Sequence, residues 1–169
     1  YNPRLYIKNV PIFYSPYLGF SSDTTRRTGL LTPTIGYSNT DGLYYSQSLF
    51  IAPQSNYDIE LTPQIRNNRG EGIYGYLRYA DSPYSMLQLK SGIFIENSEY
   101  QIENDVENKK HFGWNIDYER TKLFSSDSNQ DGLYLSLISL NDIEYKTLET
   151  QENQTSSEKK VESKLNYFF

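Results

Sequence analysis

The sequence predicts an all-β fold of antiparallel strands. Three observations predict it. Apolar and polar residues alternate with a period of two: from Tyr57 to Arg66 every odd position is apolar and every even one polar. Alanine, the best helix former, occurs only at Ala52 and Ala80. Clusters of Asn, Asp, Gly and Pro separate the alternating runs.

The elements follow in order. Residues 1–22 are broken by Pro3, Pro11 and Pro16, with short aromatic-rich runs between them. Proline belongs to strand edges, strand starts and bulges, so this segment reads as a terminal strand and connector. A strand over 30–38 ends at Asn39-Thr40-Asp41-Gly42, whose residues tolerate turn geometry. The next strands span 43–51 and 57–66, the second closed by Asn67-Asn68-Arg69-Gly70. A strand over 72–80 stops at Asp81-Ser82-Pro83. In 84–97, Leu87, Leu89, Ile93 and Ile95 alternate with Gln88, Lys90 and Glu96. In 110–124, Phe112, Trp114, Ile116 and Tyr118 hold one face. After the turn at Asp127–Gly132 come strands over 132–145 and 161–169, separated by the polar stretch Glu149–Lys160, which reads as a solvated loop.

These eight strands run mostly nine to fifteen residues. Globular strands commonly have about 5–6 residues, whereas about 9–11 tilted residues cross a bilayer. Length, alternation and 17 tyrosines together suggest part of a transmembrane β-barrel with tyrosine girdles. A soluble antiparallel sandwich or jelly roll stays open on the same pattern.

The chain has 169 residues, 16 basic against 21 acidic, for a net charge of −5. That argues against a nucleic-acid partner, which would select a basic patch. Aromatics at 15% argue against disorder. With no cysteine, disulfides, thiolate metal sites and cysteine nucleophiles are excluded within the segment. No apolar run approaches the roughly 18 residues of a membrane helix. The chain begins with Tyr1 and shows no signal peptide, so it is expected to be a piece of a longer protein.

Chemistry-bearing motifs are few. His111, the single histidine, stands beside Lys109 and Lys110 and is expected in a solvated loop rather than in acid–base work. Glu96, Glu99, Glu103, Asp105 and Glu107 form an acidic run of the kind usually solvated. Asp127 to Gly132 matches the first half of a calcium loop, but Ile138 stands where the bidentate Glu is needed, so an ordinary Asx-rich turn is expected. Asn153-Gln154-Thr155 fits a glycosylation triplet, a pattern common by chance. Arg26-Arg27 is a polar connector, with a phosphate or lipid head group as the functional alternative. No metal cluster, cofactor fingerprint or enzyme constellation is read.

From Pro11-Ile12-Phe13-Tyr14-Ser15-Pro16-Tyr17-Leu18 onward the sequence resembles the LptD family of lipopolysaccharide-assembly outer-membrane proteins (the organic solvent tolerance family). The likeness runs through Arg26-Arg27-Thr28-Gly29-Leu30-Leu31-Thr32-Pro33, Gly36-Tyr37-Ser38, Ile51-Ala52-Pro53, Asn56-Tyr57-Asp58, Leu61-Thr62-Pro63, Arg69-Gly70 and Leu77-Arg78-Tyr79. Beyond about residue 80 it loosens to Asp117-Tyr118-Glu119-Arg120 and Leu140-Asn141-Asp142-Ile143-Glu144-Tyr145.

The resemblance implies a periplasmic jelly roll followed by a very large outer-membrane barrel that inserts lipopolysaccharide into the outer leaflet through a lateral gate at its seam. It implies an LptE-like lipoprotein plug and a periplasmic LptA-like bridge protein reached through the jelly roll. This chain would hold the end of the jelly roll and connector (1–22) and the N-terminal barrel portion (23–169). The family's structural cysteines have no counterpart here. The gate is expected at Pro33, Gly36, Ser48 and Pro53. Pro33 lacks a ladder donor, Ser48 stands where the family often has a second proline, and Pro53 is expected just past the second strand. A complete small eight-stranded barrel, favoured by the aromatic terminus Leu165–Phe169, and a soluble carbohydrate-binding sandwich using tyrosines and Trp114 are the alternatives.

The alternation also predicts facing and sidedness. Tyr57, Ile59, Leu61, Ile65, Phe112, Trp114, Ile116 and Tyr118 should face lipid; Asp58, Glu60, Gln64 and Arg66 should face the lumen. Connections near 39–42, 67–71, 98–109 and 146–160 should share the extracellular end, and those near 52–56, 81–83 and 125–131 the periplasmic end.

Overall fold

A computed structural model describes residues 4–7, 10–14, 26–124, 131–149 and 161–169. Strands β1 (Arg4–Ile7) and β2 (Val10–Tyr14) form a two-stranded antiparallel sheet. A second sheet holds β3 (Gly29–Leu30), β4 (Thr34–Ser38), β5 (Gly42–Ser46), β6 (Leu49–Gln54), β7 (Tyr57–Arg66), β8 (Gly70–Tyr79) and β9 (Ser85–Glu96). After helix α1 (Ser98–Glu103) it continues as β10 (Lys110–Thr121) and β11 (Gly132–Leu140), and after helix α2 (Glu144–Glu149) as β12 (Lys164–Phe168). From β7 to β12 every strand pairs antiparallel with its neighbour in sequence. The all-β antiparallel expectation holds.

The strand with the cleanest alternation falls where the sequence placed it, at Tyr57–Arg66. Turn residues set the ends. Gly42 has φ 73°, and a Cβ there would lie 2.7 Å from the Asn68 side chain, so only glycine suits this corner.

The structure corrects four expectations. The first predicted strand is two pieces, β3 and β4, interrupted at 31–33, and the second is β5 and β6, interrupted at 47–48. Pro53 lies inside β6 rather than past it, at a register irregularity between Ile51 and Gln54. The strand expected over 132–145 stops at Leu140, and its end turns into α2. There the Asp142 carboxylate accepts the Tyr145 N–H at 3.2 Å, satisfying a donor that the first helical turn leaves open. Ser98–Glu103, which includes Glu99 and Glu103 of the acidic run, likewise forms α1, which strand periodicity does not reveal.

The buried cluster is small: Tyr74, Phe94, Tyr145 and Leu148, with Leu140 packed against it. It sits where α2 lies over one face of the sheet. Gly113 makes room for it, since a Cβ there would come within 2.9 Å of the Tyr145 ring.

Candidate functional site

Register separates two faces. One cross-strand row reads Ile51, Ile59, Leu77, Leu89, Ile116 and Leu137, aliphatic across six strands. The adjacent row on the opposite face reads Phe50, Glu60, Tyr76, Lys90, Asn115 and Ile138. Nearer the 80–84 turn the apolar face carries Tyr57, Tyr79 and Tyr118 in one row, each separated from the next by no more than one strand. Ile65 and Phe112 on that face are 55% and 53% exposed. Their sequence neighbours Gln64, Arg66 and His111 are buried on the other. The predicted segregation of side chains is therefore present, with α2 covering the polar face.

The edge formed by the first three strand lines is irregular at one height. Leu30 pairs with Leu49 and Thr34 with Ser46. Three residues of the first line, 31–33, thus oppose two of the second, 47–48, which defines a bulge. Pro33 sits in it. The bulge reverses side-chain parity, so Leu30 and Ile35, an odd number apart, both join the apolar face through Leu49 and Tyr45. Across the bulge the Leu31 N–H donates to the Ser48 carbonyl at 2.8 Å, and Gln47 Nε2 donates to the Leu31 carbonyl at 3.3 Å.

Between the second and third lines the register never shifts at this height: Ser46 faces Gln64 and Leu49 faces Leu61. The interruption has a chemical cause. The Asn67 N–H bonds to the Leu43 carbonyl at 2.9 Å, so pairs of this parity are the hydrogen-bonded ones. Gln47 and Pro63 form such a pair. Gln47 donates to the Pro63 carbonyl at 3.4 Å, and proline has no N–H to return. On the polar face the Ser48 and Thr62 hydroxyls bond at 2.7 Å. Pro63 was legible only as an apolar residue in the alternation; that its nitrogen faces the second line needs the register.

The other expected site residues fall around this edge. Gly36, in β4, faces Tyr44, whose ring carbon lies 3.9 Å from where a Cβ would be, an ordinary contact. Arg26 donates to the Ser55 carbonyl at 2.7 Å and ion-pairs with Asp58, which Arg78 Nε approaches at 2.6 Å. The segment before the first strand is thereby tied to the third. Arg27 is exposed beside it. Asp127–Gln130 of the calcium-like turn and the triplet Asn153–Thr155 lie outside the described residues, as does the division at residues 22–23.

The opposite end of the sheet carries a polar cluster that the sequence reading missed. His111 is 1% exposed rather than solvated. Its Nδ1 lies 2.9 Å from both Asp142 carboxylate oxygens, and its Nε2 lies 3.0 Å from Glu96 Oε1. Glu96, read as part of a solvated run, is buried and accepts Arg69 Nε at 2.9 Å. Arg69 reaches Glu144 at 3.1 Å, and Arg66 pairs with Asp41 at 2.7 Å. Arg66 and Gln64 both donate to the Leu148 carbonyl, at 3.1 and 2.9 Å. The Arg66 cation at this carbonyl matches the negative C-terminal end of α2. The available signal was a polar residue alternating inward at a strand end, followed by Asn141-Asp142. The cluster fastens α2 to the polar face, and burial raises the Glu149 carboxyl above its ordinary range.

The comparisons with known proteins point one way. The chain is 32% identical over 115 residues to the LPS-assembly protein LptD of Acinetobacter baylyi, covering 68% of this chain and 14% of that protein. It is 35% identical over 116 residues to LPS-assembly protein LptD of Haemophilus influenzae strain 86-028NP, 68% of this chain and 15% of the relative. It is 33% identical over 126 residues to that of Vibrio cholerae, 73% and 15%. The chain thus spans about a seventh of the length of the relatives it matches. No family model matches it.

Proposed function

Because the chain belongs to the LPS-assembly protein LptD family, as a segment of such a protein, we propose that it supplies the opening strands of an outer-membrane barrel that inserts lipopolysaccharide into the outer leaflet. The single observation that carries this reading is the two-faced sheet whose first edge is bulged. An apolar row across six strands suits hydrocarbon, and a polar face suits a hydrated lumen. A soluble sandwich would bury the apolar face against another sheet. The task is movement of an amphiphile, which needs a wet route and a hydrocarbon exit but no bond chemistry, so the role is not enzymatic.

The exit is the free edge of the first strand line, with Pro33, Gly36, Ser48 and Pro53 at or near its weak points. Each missing ladder bond is worth about 0.5–1.5 kcal/mol, enough to bias a seam without unfolding a barrel. Arg26 and Arg27 lie where the chain enters the barrel and serve as connector contacts, with an anionic head group as the alternative partner of the pair. An LptE-like lipoprotein plugs the barrel to which these strands belong, and an LptA-like bridge protein is reached through the missing part of the jelly roll. The location is the outer membrane, with residues 1–22 on the periplasmic side.

The test is Pro33→Ala in the full-length protein, which restores a donor at the bulge. Lipopolysaccharide export should slow while barrel assembly stays normal. Export at the wild-type rate would reject the seam assignment.

A further inference from the structure

Three irregularities share one height across two strand interfaces. The first line bulges at 31–33, the second is interrupted at 47–48, and Pro63 of the third returns no donor to Gln47. A seam that only parted lengthwise would need weak bonds between the first line and its missing neighbour. It would not need the second interface thinned at the same level. Loss of bonds along a transverse line instead softens bending about that line.

The restraints on its two sides differ. Above it, β4 and β5 pair over five residues. This upper flap is fastened by Asp41 to Arg66 at 2.7 Å, by the Asn68 N–H to the Asp41 carbonyl at 3.0 Å, and by the Arg66 guanidinium over the Tyr44 ring at 5.3 Å. Below it, β3 pairs with β6 over two residues. The lower flap has a further register break between Ile51 and Gln54, where Pro53 sits. Its first line is held beyond the ladder by Thr28 Oγ1, which accepts the Ala52 N–H at 3.0 Å, and by Arg26.

We infer that residues 31–33, 47–48 and 63 form a crease across the first three strand lines. About it the lower flap, 29–30 with 49–54, swings while the upper flap, 34–38 with 42–46, stays docked. Pro63 is then a positioning residue of the gate, acting through Gln47 and Ser48 on an edge two strands away. This rests on the seam reading above and extends it from one strand to a jointed pair.

Two measurements on the full-length protein in lipid test it. Amide exchange in 49–54 should be about two- to tenfold faster than in 42–46, the range one ladder bond is worth, and Pro63→Ala should close that gap. Equal exchange in the two halves, or a gap that Pro63→Ala leaves unchanged, overturns the crease. Independently, Ser48→Cys with Thr62→Cys, whose native hydroxyls already touch, should lock the crease on oxidation. Lipopolysaccharide export should then be lost and should return with reductant, against wild type treated identically. Unimpaired export by the oxidised pair overturns the crease. If Pro33→Ala still slows export in that case, the seam stands and only the crease fails.

Discussion

The imidazole Nε2 of His111 lies 3.0 Å from Oε1 of Glu96, and neither side chain meets solvent. The contact does not meet hydrogen-bond geometry; the Arg69 guanidinium donates to the same carboxylate oxygen, and Asp142 lies on the far side of the ring. A buried charge stripped of its partner costs about 3–5 kcal/mol. Glu96→Ala should therefore lower thermal stability strongly and expose 141–149 to protease. Wild-type melting with an intact α2 would show that the cluster is ornamental.

Glu149 gives α2 a pH dependence. Burial pushes its carboxyl up, and Lys90 and Lys146 pull it back only in part. The folded chain keeps this proton at pH values where the unfolded chain, titrating near ~4.3, has released it. Folding binds a proton in that window, so the contribution is greatest below the ordinary carboxyl range and is lost as pH rises through the raised value. Protection of α2 from protease should fall from pH 4 toward neutrality, and Glu149→Gln should flatten the profile. An unchanged profile in the glutamine variant would assign the dependence elsewhere.

Gly113 tests the same docking sterically. A Cβ there would lie 2.6 Å from a Leu140 methyl and 2.9 Å from the Tyr145 ring. Overpacking of this kind costs about 1–3 kcal/mol. Gly113→Val should displace Tyr145 and release α2, while Gly36→Ala, with only an ordinary contact at Tyr44, should leave folding unchanged. Equal stability of the two variants would contradict the packing described.

Sequence periodicity made most of the sheet legible. From β7 to β10 the strands could be placed within a few residues because each has one apolar face, and a one-residue slip would invert it. The helices were hidden because six residues are too few to show a 3.6-residue period. His111 was hidden because a lone polar residue has no pattern. Its partners Glu96 and Asp142 stand 15 residues before and 31 after it in the chain, and only strand pairing brings them together. Pro33 could be singled out from its residue type. Pro63 could not, because the direction of its missing donor depends on register.

Turn contacts show which connections share an end of the sheet. Asp41, Arg69, Asn97 and α1 share one end: the Asn97 N–H bonds to the Arg69 carbonyl at 2.6 Å, and Asn68 to Asp41 at 3.0 Å. Asp81, Arg120, Tyr84 and Lys122 share the other, with Arg120 3.1 Å from Asp81 and Lys122 4.5 Å from the Tyr84 ring centre. On the proposed insertion, cysteine at Thr40 or Glu99 should react with an impermeant reagent on intact cells, and cysteine at Ser82 only after permeabilisation. The reverse pattern would invert the topology.

Ser48→Pro separates backbone from side chain at the proposed gate. The pair Ser48–Thr62 lies between the hydrogen-bonded pairs 47/63 and 49/61, so the Ser48 backbone points away from the third line. Its carbonyl takes the Leu31 N–H at 2.8 Å, and its own N–H faces the bulge. Proline would keep the carbonyl and remove that N–H at a point where the ladder is already broken, which is where strands accept proline. It would also delete the 2.7 Å hydroxyl contact with Thr62, a loss of about 0.5–1.5 kcal/mol. Barrel assembly should therefore be normal, and lipopolysaccharide export should be equal to wild type or faster. Ser48→Ala, which deletes only the hydroxyl, should reproduce part of any gain. Slower export in Ser48→Pro with normal assembly would mean that the edge needs this donor closed, and that looseness at this height does not limit export.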